Sequence, residues 1–159
     1  MFKKFVIAYD HRVDGKFISK IQEVLTGKGI ESRVFEDNGT ANDYPVLASK
    51  CFDLKEKEKA DGMILLCGTG IGMNMVANKF EGIRAVLANS EAEAYFSRRH
   101  ENANCLVFGA GYADDLHEIK LCKRKMARMI ETFVSTPFEG GRHIRRLDEI
   151  TEIEKGGRF

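Results

Sequence analysis

Side chains suited to acid–base chemistry follow two apolar segments that are predicted to be buried strands. Asp10 and His11 come after the first of these segments, and Cys67 closes the third. A carboxylate, an imidazole and a thiol can each move a proton near neutral pH when their surroundings adjust their pKa values. If the fold brings these groups into one crevice, they would suit proton transfer through an anionic intermediate.

The glycine-rich loop after Cys67 is predicted to bind an anion. Gly68, Gly70 and Gly72 alternate with Thr69 and Ile71, so successive backbone N–H groups can face one concavity where a helix begins. The anion could be a phosphate or the oxyanion of an enediolate. The loop is not a dinucleotide fingerprint, because it follows the third strand and has Gly-x-Gly-x-Gly spacing, and it has no P-loop lysine. A tight turn without a ligand is the alternative.

Cys67 is the cysteine with a chemically suggestive position. A buried strand cysteine usually only packs, but a helix N-terminus directly after it predicts a lowered thiol pKa and a usable base. Cys51, Cys105 and Cys122 have no such setting and are interpreted as packing or surface residues. No pair has Cys-x-x-Cys spacing, so we expect no zinc site.

The basic patch near the C-terminus is predicted to hold a phosphate. Arg142 and Arg146 are four residues apart, so a helix would place both guanidinium groups on one face. Two such groups form a good clamp for a phosphate. The alternative is a solvated basic face paired with Asp148 and Glu149.

His100 and Tyr44 are further candidates, each with a structural alternative. His100 ends a predicted helix, where an imidazole can simply cap the last turn. Tyr44 lies between Asp43, a candidate helix N-cap, and Pro45, which suits a first helical turn. We expect the Tyr44 phenol to lie near the crevice mouth, within reach of sugar hydroxyls.

Short apolar strands alternate with helical patterns along the chain. The predicted strands are Phe5–Tyr9, Ser32–Phe35, Met63–Cys67, Ala85–Ala88 and Cys105–Phe108, and the predicted helices are 15–26, 46–59, 73–80, 91–100, 114–135 and 143–155. This alternation predicts one α/β domain over residues 1–159, with a doubly wound, Rossmann-like five-stranded parallel sheet of order 2-1-3-4-5, helices on both faces and a C-terminal helix. In that order the carboxyl ends of strands 1 and 3 are neighbours, so Asp10 and Cys67 are expected to meet.

Composition narrows the class of partner. The chain has 159 residues, 43% of them hydrophobic, and a net charge of +1 with interspersed charges, which argues against a nucleic-acid partner. No apolar run is long enough to span a bilayer, so we expect a cytoplasmic protein without membrane contact. The C-terminal helix carries an apolar stripe, which either packs on a second subunit or folds back on its own domain.

Taken in order, the motifs resemble type B ribose-5-phosphate isomerases, together with the galactose-6-phosphate isomerase subunits. The matching pieces are Asp10-His11, Asp43-Tyr44-Pro45, Cys67-Gly68-Thr69-Gly70-Ile71-Gly72, Ala77-Asn78-Lys79, Gly82-Ile83-Arg84-Ala85, Ser97-Arg98-x-His100 and Gly140-Gly141-Arg142-His143 with Arg146. They cover nearly the whole chain, and together they are highly specific.

The resemblance implies an aldose–ketose isomerase of a small phosphorylated sugar, with no metal or organic cofactor. It implies that Cys67 is the proton-shuttling base and that Thr69, with the loop glycines, stabilises the enediolate. It further implies that His100 opens the sugar ring from a neighbouring subunit of a homo-oligomer, a dimer or a dimer of dimers with shared sites. The implied phosphate contacts are Arg142, Arg146 and His11, and the implied sugar contacts are Asp10 and Tyr44.

Two departures from the family pattern leave the sugar open. Glu101 stands where the family usually has Asn after the histidine, and Gly111 stands where it usually has Arg. Both fall on the expected substrate-facing rim, and Glu101 is therefore included among the expected substrate contacts. A galactose-6-phosphate or other four- to six-carbon substrate is the alternative within the family. Outside that reaction, a nucleotide-binding regulatory domain and a subunit that serves only assembly are the alternatives.

Overall fold

A computed structural model describes residues 1–11, 13–35, 43–111 and 121–159. The strands are β1 (Lys4–Tyr9), β2 (Glu31–Val34), β3 (Gly62–Cys67), β4 (Ala85–Leu87) and β5 (Cys105–Gly109). The helices are α1 (Lys16–Gly27), α2 (Tyr44–Glu58), α3 (Ile71–Ala77), α4 (Glu91–Arg99), α5 (Lys123–Ser135) and α6 (Arg142–Glu154). The strands of this five-stranded sheet pair in parallel, which confirms the predicted doubly wound α/β fold.

The predicted position of the last two strands is wrong. The observed order is β2-β1-β3-β5-β4, so β5 pairs with β3 and β4 forms the edge. Burial explains the exchange: the first four residues of β5 are fully buried, whereas the three residues of β4 are half-buried. A strand that is apolar on both faces belongs inside a parallel sheet, and a short, partly exposed strand suits an edge.

Helices cover both faces of the sheet. Phe5 and Ile7 of β1 join a core with α1, α4 and α5, while Val6 and Ala8 join a second core with α2 and α3. This alternation follows from strand geometry, in which successive side chains point to opposite faces. The predicted pairing of β1 with β3 is confirmed, so the carboxyl ends of these two strands lie side by side.

Helix ends differ from the predicted bounds in two informative places. The helix predicted over 114–135 begins at Lys123 in the described residues, and the part of that prediction over 114–120 lies outside them. α2 begins at Tyr44, earlier than predicted, with Pro45 in its first turn, where the missing proline N–H costs nothing.

Within the described ranges, the helices are too short or too polar to cross a bilayer.

Candidate functional site

The loop after β3 folds back tightly onto the thiol of Cys67. Cys67 is only 4% exposed, and its Sγ accepts a hydrogen bond from the Gly70 N–H at 3.1 Å. Gly70 has a φ of +76°, and a Cβ there would lie 2.4 Å from Cδ1 of Leu87. Glycine is therefore required at position 70 by both backbone conformation and space.

The pKa of Cys67 is raised, which is opposite to the expected direction. Burial of the thiol is the largest cause, and the nearby Asp10 carboxylate raises the pKa further. The N–H groups of Gly70, Met73 and Thr69 oppose this by favouring the thiolate. The expected effect of the loop and helix N–H groups is present, but desolvation of the thiolate outweighs it.

Cys122, not Cys67, has the lowered thiol pKa. It lies at the N-cap of α5 and is exposed, and the N–H groups of Lys125 and Arg124 lower its pKa. The interpretation that Cys122 lacks a helix N-terminal setting is therefore wrong, because the start of α5 falls later than predicted. Cys51 shows the opposite extreme, since burial raises its pKa to about 12.

Asp10 lies beside Cys67 at the end of β1. Its backbone N–H donates to the Leu66 carbonyl at 2.9 Å, which extends the pairing of β1 with β3 by one bond. Asp10 is 2% exposed, and His11 Nδ1 lies 3.5 Å from its Oδ1 while the imidazole faces solvent. The structure thus brings Asp10, His11 and Cys67 to one edge of the sheet, as the strand order predicts.

Tyr44 and Thr69 complete this edge. The Tyr44 ring packs against Gly72, where a Cβ would lie 2.6 Å from Tyr44 Cε2, and nearly half of the tyrosine remains exposed. Thr69 Oγ1 accepts a hydrogen bond from the Ile71 N–H at 3.2 Å. We name the following residues the carboxyl-edge cluster: Asp10, His11, Tyr44, Cys67, Gly68, Thr69, Gly70 and Gly72.

Gly111 forms part of the wall beside the glycine-rich loop. Its N–H donates to the Gly68 carbonyl at 2.9 Å, and its φ is +71°. A residue with a long side chain would be strained in this conformation. The glycine at this position therefore matches the local backbone.

His100 lies near the amino ends of the strands, whereas Cys67 lies at their carboxyl ends. We call these two ends of the sheet the amino edge and the carboxyl edge. His100 caps the C-terminus of α4, which runs back toward the amino ends of β4 and β5. β5 starts opposite Met63, four residues before Cys67, so at least about 13 Å of strand separates the two edges. One chain therefore does not bring His100 to its own Cys67.

His100 and His143 form the centre of a second group of side chains, at the amino ends of the strands. The rings of His100 and His143 stack with centroids 4.4 Å apart and planes 9° apart. Glu139 Oε2 lies 4.0 Å from His100 Nε2, and Arg142 Nε donates to His143 Nε2 at 3.4 Å. Arg146 is close enough to lower the pKa of His143 through its charge. We name His100, Glu139, Arg142, His143 and Arg146 the amino-edge cluster.

The amino-edge cluster is better suited to an anion than to a metal ion. Possible ligand atoms of His100, Glu139 and His143 lie within 4.8 Å of one another. Arg142 and Arg146 add positive charge on α6. The Glu139 carboxylate already forms an ion pair with Arg99, with 2.6 Å between Arg99 Nε and Glu139 Oε2. A cation would meet this local positive charge, whereas a phosphate would be attracted by it.

Glu139 and His143 were not predicted as site residues. Both stand in the basic segment that the sequence singles out, but their spacing does not reveal that they face His100. The Glu139 N–H donates to the Arg99 carbonyl at 2.9 Å, which joins the segment before α6 to the end of α4. That contact depends on tertiary packing, which the sequence does not report. The sequence did offer one signal for His143 as a site residue, its position directly after Arg142.

A cavity of about 690 Å³ lies between α4, α6 and the β4 edge. Glu101 lines it, together with Ile150 and Ile153 of α6, and the two isoleucines remain substantially exposed. The apolar stripe of α6 is therefore only partly covered by its own chain. The cavity is at the His100 edge of the sheet and does not include Cys67.

Comparison with known proteins identifies what this arrangement resembles. A family model described as Ribose/Galactose Isomerase matches residues 5–150. Ribose-5-phosphate isomerase B of Escherichia coli is 36% identical over 160 residues, covering 96% of this chain and 97% of the relative.

Solved structures agree with the sequence matches. A ribose 5-phosphate isomerase from Thermotoga maritima superposes with a TM-score of 0.78 at 38% identity, covering 94% of this chain and 98% of the other. Ribose-5-phosphate isomerase B from Mycoplasma genitalium with bound ribulose-5-phosphate superposes with a TM-score of 0.82 at 34% identity, covering 99% of both chains.

Proposed function

Because the chain belongs to the ribose/galactose isomerase family and is a sugar-phosphate aldose–ketose isomerase, we propose that it acts through an enediolate with Cys67 as the general base. The observation that carries this assignment is a thiol at a strand end, faced by three backbone N–H groups and a carboxylate. The proposal assigns all of residues 1–159 to one isomerase domain.

In the proposed reaction, the Cys67 thiolate removes the proton from C2 of the open-chain aldose and returns it to C1. The proton of the C2 hydroxyl moves to O1, so that the carbonyl passes from C1 to C2. The electron pair of the broken C–H bond moves toward the carbonyl, so the negative charge develops on oxygen. The N–H groups of the Gly68–Gly72 loop and the Thr69 hydroxyl can hold that oxygen. The raised pKa means that a resting thiol predominates near neutral pH. Asp10 is the rival base.

Arg142 and Arg146 supply the proposed phosphate clamp, with His11 as a third contact. Both arginines are exposed on the first two turns of α6, so a ligand can reach them. His100 is the proposed acid–base group for ring opening. Asp10 and Tyr44 are the proposed sugar contacts, and Glu101 lies beside His100 on the rim.

Two copies of the chain are needed to assemble this site, because its two clusters lie at opposite edges of one sheet. Exposed apolar side chains flank both clusters: Ile71 and Met75 lie beside the glycine-rich loop, and Phe96 and Ile144 lie near His100. A two-fold dimer can bury both patches at once, since each copy presents the same pair of surfaces. We propose a homodimer, or a dimer of such dimers, with shared active sites.

We also propose that the protein acts in the cytoplasm. Each of its four cysteines, all in the described ranges, is a free thiol. A reducing compartment keeps thiols in this state.

A substrate panel tests the function directly. Four- to six-carbon aldose phosphates, including ribose 5-phosphate and galactose 6-phosphate, are assayed for aldose–ketose interconversion. Turnover of at least one is expected, and binding of adenine nucleotides without turnover would favour the regulatory-domain alternative.

Because Glu101 and Gly111 change the rim, we expect a sugar other than ribose 5-phosphate to give the highest kcat/KM. The highest value for ribose 5-phosphate would overturn that specificity while leaving the reaction class intact.

A further inference from the structure

His143 is a buried imidazole that the proposed mechanism does not use. α6 is described in full and buries one side chain, His143, which is 2% exposed. Its ring lies face to face with that of His100, and its neighbour Arg142 is a proposed phosphate ligand. His143 therefore touches both functional parts of the amino-edge cluster.

The hydrogen bonds of His143 indicate which of its nitrogens carries the proton. A guanidinium has no acceptor and can only donate, so His143 Nε2 must accept from Arg142 Nε at 3.4 Å. A neutral imidazole that accepts at Nε2 has its proton on Nδ1. Within the described residues, the buried Nδ1 has no hydrogen-bond partner. The position of the proton is inferred here from the hydrogen-bond partners.

The surroundings of His143 keep its ring neutral. Burial is the largest cause of its lowered pKa, and the positive charges of His100, Arg142 and Arg146 lower it further. Glu139 acts in the opposite direction and does not overcome them. A neutral His143 ring therefore lies face to face with His100, the group proposed to open the sugar ring.

We propose that His143 is a positioning residue with two separable roles: its ring face fixes the plane of His100, and its Nε2 fixes the guanidinium of Arg142. This inference rests on the proposed roles of His100 in ring opening and of Arg142 in phosphate binding. The first role acts on the chemical steps, and the second acts on substrate binding.

Two substitutions separate the roles. His143→Phe keeps an aromatic face but removes the acceptor, so KM should rise about fivefold while kcat stays within about twofold. His143→Gln keeps an acceptor near the position of Nε2 but removes the ring face, so kcat should fall about fivefold while KM stays within about twofold. Cys51→Ala, a buried change in α2 outside both clusters, controls for general destabilisation.

The kinetic outcomes are read against an active wild-type enzyme and the unfolding midpoint of each variant. Opposite effects of the two variants on kcat and KM support the proposal. Equal effects on both parameters, or no effect beyond that of Cys51→Ala, overturn it. Wild-type protein that turns over no sugar phosphate counts against the proposed function instead.

A second measurement does not depend on activity. Long-range ¹H–¹⁵N NMR spectra of the imidazoles, assigned with the His143→Phe variant, report the tautomer of each ring. Because its pKa is lowered, we expect His143 to be neutral at pH 7, with its proton on Nδ1. A charged His143 at that pH, or a proton on Nε2, overturns the inference whether or not the enzyme is active.

Discussion

The carboxyl-edge and amino-edge clusters are built in different ways. At the carboxyl edge, backbone N–H groups and a buried carboxylate surround a thiol that is almost fully enclosed. At the amino edge, side chains from the end of α4, from α6 and from the segment between α5 and α6 form a positively charged surface. The first arrangement suits proton transfer at carbon. The second suits phosphate capture and also holds His100, the proposed ring-opening group.

This difference has a physical basis. A strand end inside a parallel sheet is surrounded by backbone, which provides fixed dipoles but little room for long side chains. A helix end at the amino edge of the sheet has solvent beside it. Arginine side chains there can extend into solvent and bind an anion. The proposed joining of the clusters across two chains would let one site combine a buried proton-transfer region with a solvent-exposed phosphate clamp.

The largest expected effect follows from removing the thiol. Cys67→Ala should lower kcat by roughly 10²–10⁴-fold, the usual contribution of a positioned base. Steady-state kinetics with saturating substrate measure it, with Cys51→Ala as the matched buried-cysteine control. A near-normal kcat would falsify the assignment and move the role to Asp10.

Alkylation of Cys67 tests both its role as the base and the direction of its pKa shift. Iodoacetate should inactivate the enzyme faster as pH rises, because burial raises the pKa of Cys67 and the thiolate is the reacting form. Substrate should protect. The experiment needs a Cys122→Ser background, since Cys122 is exposed and has a lowered pKa. An inactivation rate that is independent of pH would contradict the raised pKa.

Mixing two inactive variants tests whether the clusters meet across chains. Cys67→Ala and His100→Ala proteins, each inactive, should regain about one quarter of wild-type activity after subunit exchange, because half of the dimers are hybrids with one intact site. Activity is measured after mixing, with exchange confirmed by mass spectrometry of the native protein. No recovery despite exchange, or a monomer in sedimentation, would rule out a shared site.

The phosphate clamp should show a smaller effect, on KM. Arg142→Ala removes a charge-assisted contact worth roughly 1.5–3 kcal/mol, so KM should rise at least about tenfold with kcat much less affected. Arg145→Ala is the matched control, because Arg145 is also exposed on the same helix but is paired with Glu149. Equal KM values for Arg142→Ala and wild type would remove Arg142 from the clamp.

The smallest expected effect concerns specificity. Glu101→Asn removes a carboxylate from the rim, so kcat/KM for ribose 5-phosphate should rise about threefold through reduced repulsion of the phosphate. Glu152→Gln, which removes an exposed acid from α6, controls for the change in net charge. The same rise in both variants would show that Glu101 has no specific role in substrate choice.

Much of the fold and half of the site follow from the sequence alone. Alternating apolar strands and amphipathic helices predict a doubly wound parallel sheet, because such strands must be covered on both faces. In that topology β1 and β3 are neighbours, so the meeting of Asp10 with Cys67 is predictable from their positions at strand ends. The glycines of the loop also indicate a tight turn, which the structure shows at Gly70, where φ is +76°.

Tertiary structure alone decided the rest. The central place of β5 depends on burial at both faces, and the raised pKa of Cys67 depends on desolvation that local sequence does not report. The stack of His100 on His143 joins residues from α4 and α6 that are far apart in the chain. These features share one physical reason: they are set by how completely water is excluded and which distant groups meet, and spacing along a chain specifies neither.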